Sequence, residues 1–141
     1  VRLGSIVFLL TKGPAVAGKD DQKILKGRRI LVVEDDILLA LDLELFLESQ
    51  GSNVLGSANS VKAALAMVEA EHPDAVTLDM NLKGESSAPV AAALQKRGIP
   101  FVFVTGNDRT DLDYPAFDDV PLVRKPYDAV ELVQRLVQLL A

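Results

Sequence analysis

From Arg28 onward the chain repeats one pattern: a short apolar run, then a stretch long enough for a helix. The runs are Ile30-Leu31-Val32-Val33, Val54-Leu55, Ala75 to Leu78, Phe101-Val102-Phe103-Val104 and Leu122-Val123. An apolar run without alternation, such as Ile30 to Val33, is what a strand buried on both faces requires, and such strands belong to parallel sheets covered by helices. The helical stretches carry their own punctuation. Ile37 to Gln50 has Asp36 placed to cap its start and Gly51 to end it, and Val61 to Glu71 follows Asn59-Ser60 with Pro73 just beyond. Pro89 to Arg97 stops at Gly98, and Asp128 to Leu140 opens with Asp128 and Glu131 at capping-box spacing. Strand-helix alternation with short connections predicts an α/β fold, a doubly wound five-stranded parallel sheet with helices on both faces.

One interval breaks the pattern. Asn107 to Pro121 holds five Asp and two Pro and has no helical apolar period, so the helix expected between the fourth and fifth strands is shortened or missing, and a solvated loop takes its place.

In sheets of this kind ligands bind beyond the carboxyl ends of the strands. The residues there are Glu34, Asp35 and Asp36 after the first strand, Asp79 after the third, Thr105 after the fourth and Lys125 after the fifth. Three carboxylates in one crevice repel one another unless they surround a hard divalent cation, and Mg²⁺ suits a site with few carboxylates, retained waters and a phosphate. Lys125 adds a compact positive charge and Thr105 a neutral hydroxyl. Together these are the parts for in-line phosphoryl transfer to a carboxylate.

Charge divides the 141-residue chain. Residues 1–27 carry five basic and two acidic side chains, net +3, whereas the remainder carries 10 basic and 18 acidic, net −8. The acidic remainder argues against nucleic acid as a partner. The absence of Cys excludes thiolate metal sites and Cys nucleophiles, and a single His excludes a His-rich metal site. In the leader, Ile6 to Leu10 is far too short to span a bilayer, so no membrane partner is expected. Ala15-Val16-Ala17 imitates a signal-peptide cleavage site, but Lys12 and Pro14 interrupt the segment before it. Residues 1–27 therefore read as an N-terminal extension, with Gly13 to Gly27 a linker and Ile6 to Leu10 able to add a strand to a sheet edge.

Val32-Val33-Glu34-Asp35-Asp36, Thr77-Leu78-Asp79-Met80-Asn81, Val104-Thr105-Gly106 and Arg124-Lys125-Pro126 stand in order at four strand ends. With them, the chain from about Arg28 to Ala141 resembles a response-regulator receiver domain of the CheY-like, flavodoxin-type fold. The resemblance implies Asp79 as phosphoacceptor and Asp35 as a direct Mg²⁺ ligand. It implies Glu34 contacting the metal through water and Asn81 offering its backbone carbonyl. Thr105 would bind a phosphoryl oxygen, Lys125 would pair with the phosphoryl group, and the Lys125–Pro126 bond would be cis. Asp36 is better placed to cap the following helix than to bind metal.

The departures from the family pattern are specific. Receivers usually carry Tyr or Phe three residues before the lysine as a rotamer switch, and here that residue is Leu122; Tyr127 lies on the wrong side of the lysine to replace it. The runs Asn81 to Val90 and Ile99 to Gly106 are similar to the FAT GUY type of receiver, which lacks the aromatic switch. Phe103-Val104-Thr105-Gly106-Asn107-Asp108 has Val for that motif's Ala and no Tyr.

The resemblance implies a stand-alone cytoplasmic receiver that takes its phosphoryl group from a sensor histidine kinase or histidine phosphotransferase and acts through a downstream protein partner. It would catalyse at most its own phosphorylation and dephosphorylation, and self-association as a homodimer stays open. A rival reading is a docking module that kept the fold and signals without phosphorylation. A phosphohydrolase with an aspartyl-phosphate intermediate needs a second carboxylate two residues after the nucleophile, and residue 81 is Asn. Two further residue sets bear on partners. Leu38, Leu39, Leu41, Leu43, Leu45 and Leu47 cannot all face one sheet, which predicts a partner surface on the outer side of that helix. His72, before Pro73 at a helix end, reads as a surface residue.

Overall fold

The computed structural model describes residues 23–106 and 117–141. The elements run β1 (Arg29–Val33), α1 (Ile37–Ser49), β2 (Asn53–Ala58), α2 (Val61–Glu71), β3 (Ala75–Asp79), β4 (Asn81–Leu82), β5 (Glu85–Ser86), α3 (Ala88–Lys96), β6 (Phe101–Thr105), β7 (Leu122–Arg124) and α4 (Ala129–Leu140). Five strands form a parallel sheet in the order β2-β1-β3-β6-β7, as the alternation predicts, and β4 and β5 form a separate antiparallel hairpin.

Successive strand residues point to opposite faces, which splits the core in two. Ile30 and Val32 of β1 face α1 and α4, where Leu43, Phe46, Leu47, Leu132 and Leu136 are buried. Leu31 and Val33 face α2 and α3, with Val68, Val90, Leu94 and the rings of Phe101 and Phe103. Each fully buried Leu or Phe contributes about 1.5–3 kcal/mol relative to exposure. Phe117 closes the second core: its ring meets Phe101 and Phe103 edge-on at 6.4 and 5.9 Å.

Helix starts follow the predicted caps. Asp36 Oδ1 accepts from the N–H groups of Leu38 and Leu39, Ser60 Oγ from Ala63 N–H, and Asp128 Oδ1 from Val130 N–H. α1 shows its leucines on both sides, as their number requires: Leu43 and Leu47 are buried, whereas Ile37, Leu38, Leu41 and Leu45 are 75, 70, 51 and 40% exposed.

One expectation differs from the structure. Leu25, which the sequence places in a linker, is buried in the α1–α4 core, and Leu25 N–H donates to Gln50 C=O at 3.0 Å. One Leu among lysines carries no periodicity from which its burial could be read. Gly51 makes this packing possible: it has φ +93°, and a Cβ there would lie 2.9 Å from Lys23 Cβ and 3.0 Å from Lys26 Cα. The added strand at Ile6 to Leu10 lies outside the described residues, as do residues 107–116 of the Asn107 to Pro121 interval in which the helix is expected to be shortened or missing. What is described at its end is a tight turn at Phe117 to Asp119, leading into β7.

Candidate functional site

The strand order places β1 between β2 and β3, so the chain leaves β1 toward one side and returns to the other, opening a crevice at the carboxyl ends of β1 and β3. Glu34 and Asp35 follow β1 directly, and Asp79 is the last residue of β3. Their carboxylate oxygens lie within 4.8 Å of one another, with Glu34 and Asp79 buried and Asp35 partly exposed. Thr105 ends β6 one residue past Val104, the partner of Asp79 in the β3–β6 register, and is 3% exposed. Lys125 follows β7, and its N–H donates to Thr105 C=O at 2.6 Å. The Lys125–Pro126 peptide is cis.

Lys125 Nζ bridges two of the acids, 2.9 Å from Asp79 Oδ2 and 2.8 Å from Glu34 Oε1. The second Glu34 oxygen accepts from Asp36 N–H at 3.0 Å. Asp79 Oδ1 accepts from Asn81 N–H at 3.4 Å. Asp35 Oδ2 accepts from Lys83 N–H at 2.9 Å, a contact 48 residues away along the chain.

The electrostatics follow from this crowding. Burial above all pushes Glu34 up to about 7, with the Asp79 charge adding to it, against the lowering effect of Lys125 and the Asp36 N–H. Asp35 moves the other way. Its partial burial would raise it, but the Lys83 N–H and further hydrogen bonds, with the Lys125 charge, hold it below the ordinary carboxylate value. Lys125 is raised: burial works against its charge, and the two facing carboxylates overcome it.

Three carboxylates and one ammonium leave a formal charge of −2 in a mostly buried crevice, which a divalent cation would neutralise. The donors are all hard oxygens, which suits Mg²⁺ or a similar ion better than a soft metal. On donor type, charge and spacing, the residues present fit such an ion.

All six residues singled out from the sequence stand at this rim. Glu34, Asp35, Asp79 and Lys125 are drawn into one cluster, Asn81 touches it through its backbone N–H, and Thr105 joins it through the backbone of Lys125. Asp36 caps α1 and also braces Glu34. His72 lies at the opposite end of the sheet as the C-cap of α2, where its C=O accepts from Arg29 Nη1 at 2.9 Å.

The hairpin β4–β5 was missed. Its centre is Lys83-Gly84, with φ +53° and +84°. Two-residue hairpin loops favour positive φ at both centres, for which Asn-Gly is the strong sequence signal and Lys-Gly a faint one. Gly84 N–H donates to Asn81 Oδ1 at 2.9 Å, which closes the turn.

Comparison with known proteins bears on most of the chain. The response regulator receiver domain model matches residues 30–137. The sensory transduction protein LytT of Bacillus cereus is 32% identical over 111 residues, 77% of this chain and 45% of LytT. The chain spans about half the length of the curated relatives it first matches. Among solved structures, SdrG from Sphingomonas melonis superposes with a TM-score of 0.70 at 43% identity, over 84% of this chain and 98% of SdrG. The anti-anti-sigma factor PhyR from Bartonella quintana gives 0.69 at 25% identity, over 90% of this chain and 52% of PhyR. Among the described residues no helix is long and apolar enough to cross a membrane.

Proposed function

The chain belongs to the response-regulator receiver family, and from that premise we propose that Asp79 accepts a phosphoryl group in a Mg²⁺-dependent two-component or phosphorelay step. Receiver domains of this family are signalling modules of two-component systems rather than enzymes with an external substrate. The single observation that carries the finer reading is the Glu34–Asp35–Asp79 cluster bridged by Lys125.

In this reading Asp35 and Asp79, with the Asn81 backbone carbonyl and Glu34 through water, would hold Mg²⁺, which would supply charge neutralisation for the incoming phosphoryl oxygens. An Asp79 oxygen attacks phosphorus in line, the phosphorus–nitrogen bond of a phosphohistidine breaks, and the electron pair returns to the imidazole. Lys125 exchanges its bond to Asp79 Oδ2 for one to a phosphoryl oxygen while Glu34 keeps hold of it. Thr105 offers its hydroxyl to another phosphoryl oxygen. The donor is a sensor histidine kinase or a histidine phosphotransferase, and the signal leaves through a protein partner. The exposed apolar stripe of α1 beside the site supports protein contact there.

Incubation with acetyl phosphate or beryllofluoride and Mg²⁺ tests the reading. An adduct on the wild type that Asp79→Asn abolishes is expected, and its absence from the wild type rejects phosphorylation. A second reading, docking without phosphorylation, is favoured by Leu122, which brings neither ring nor hydroxyl to the position of the family's aromatic switch. Equal partner affinity of wild type and Asp79→Asn, with and without beryllofluoride, selects that reading.

A further inference from the structure

The loop after β3 does more than lead into α3. Within eight residues it makes four ties: Asn81 N–H to Asp79 Oδ1, Gly84 N–H to Asn81 Oδ1, Lys83 N–H to Asp35 Oδ2, and Ser87 N–H back to Met80 C=O at 3.0 Å. Leu82, fully buried, pins the hairpin to the core while Lys83 and Gly84 stay in solvent. Of these four ties, the Lys83 contact joins the loop after β3 to the loop after β1, so it fixes one side of the crevice against the other.

The conformation of Lys83 is the second observation. It lies at φ +53°, a region in which Cβ crowds the following carbonyl and which a lysine rarely occupies. The two-residue hairpin loop calls for positive φ at both of its centres, and Lys83 is the first of them. Here the consequence of the left-handed turn is visible: its N–H meets Asp35 at 2.9 Å.

We propose that the β4–β5 hairpin is a positioning clasp, in which the Lys83 backbone N–H holds one oxygen of Asp35 so that the carboxylate faces Glu34 and Asp79 before a metal arrives. The inference rests on the reading of these acids as the metal site. Carboxylate ligands are themselves hydrogen-bonded in metal centres, and loss of such a partner commonly weakens metal binding about 10–100-fold. Lys83 acts through its amide and not its ammonium, so the residue type matters only through the backbone it permits.

The experiment is a Mg²⁺ titration of the full chain followed by amide NMR shifts and by thermal stability, neither of which depends on phosphorylation. Lys83→Pro removes the N–H and cannot adopt positive φ, and it should raise the Mg²⁺ dissociation constant about tenfold. Lys83→Gly keeps the N–H and eases the turn, and it should restore binding to within about twofold of wild type. Gly84→Val strains the same turn at an exposed site where a Cβ meets nothing within 4 Å. It should weaken Mg²⁺ about threefold and decides the matter if Lys83→Pro does not fold. Wild-type binding with Lys83→Pro, or Gly84→Val in its place, unchanged overturns the clasp alone. Lys83→Gly as weak as Lys83→Pro overturns the role of the amide. No Mg²⁺ response from the wild type overturns the metal reading and the clasp with it.

Discussion

The two ends of the sheet use the same residue types to opposite effect. At the carboxyl end Lys125 stands between Glu34 and Asp79, with side-chain exposures of 19, 6 and 7%. At the amino end Arg29 reaches Glu71 at 3.5 Å with exposures of 38 and 45%, and its N–H donates to Asp74 Oδ2 at 2.8 Å. The exposed pair is screened by water and stabilises little, in the range of about 0–1 kcal/mol. In the buried cluster each charge depends on its neighbours, because removing one strands the others in a low-dielectric crevice. Charge count alone does not distinguish the two ends; burial does.

The same exchange made at both ends gives the sharpest contrast. Asp79→Asn should lose the beryllofluoride and acetyl-phosphate adducts completely, whereas Asp74→Asn should keep them, as read by intact mass and fluorine NMR. Next in size, Lys125→Met should destabilise the divalent-free protein by about 3 kcal/mol at pH 8, because Glu34 and Asp79 lose their shared cation. Arg29→Met should cost under about 1 kcal/mol by the same chemical denaturation. If the two losses match, burial is not what separates the ends.

The pH dependence is smaller and has a definite sign. Glu34 sits at about 7 in the folded chain against an ordinary 4.5, so its contribution to stability is full below about pH 4.5 and is lost as pH rises through about 7. Asp35, held low, contributes the reverse: stability that is present above its ordinary value and lost on acidification. Between pH 5.5 and 8 the Glu34 effect operates alone of the two, so the divalent-free protein should be less stable at pH 8. Added Mg²⁺ should recover more stability at pH 8 than at 5.5, which denaturation at both values with and without the ion measures. The smallest effect belongs to the amino end: Glu71→Gln should shift stability by no more than about 0.5 kcal/mol at either pH.

Much of this was legible in the sequence because the informative residues are local in character. β1, β3 and β6 are buried on both faces; β1 and β6 read as apolar runs, β3 as one interrupted only by Thr77, and the caps at Asp36, Ser60 and Asp128 stand where their helices begin. β2 was harder: Val54-Leu55 marks only part of Asn53–Ala58, since Gly56 and Ser57 lie on a half-exposed edge strand. The rim acids and Lys125 could be named from their strand ends, but the Lys83–Asp35 tie could not. It joins residues 48 apart through a backbone amide, which no side-chain pattern records. Leu25 was hidden for a similar reason, since its burial depends on the close approach that Gly51 allows.

The 2.6 Å hydrogen bond from Lys125 N–H to Thr105 C=O makes the tips of β6 and β7 one mechanical piece. The Lys125 ammonium and the Thr105 hydroxyl are therefore carried on backbones that are tied directly to each other. Displacing one tip while the other stays at rest has to break that bond.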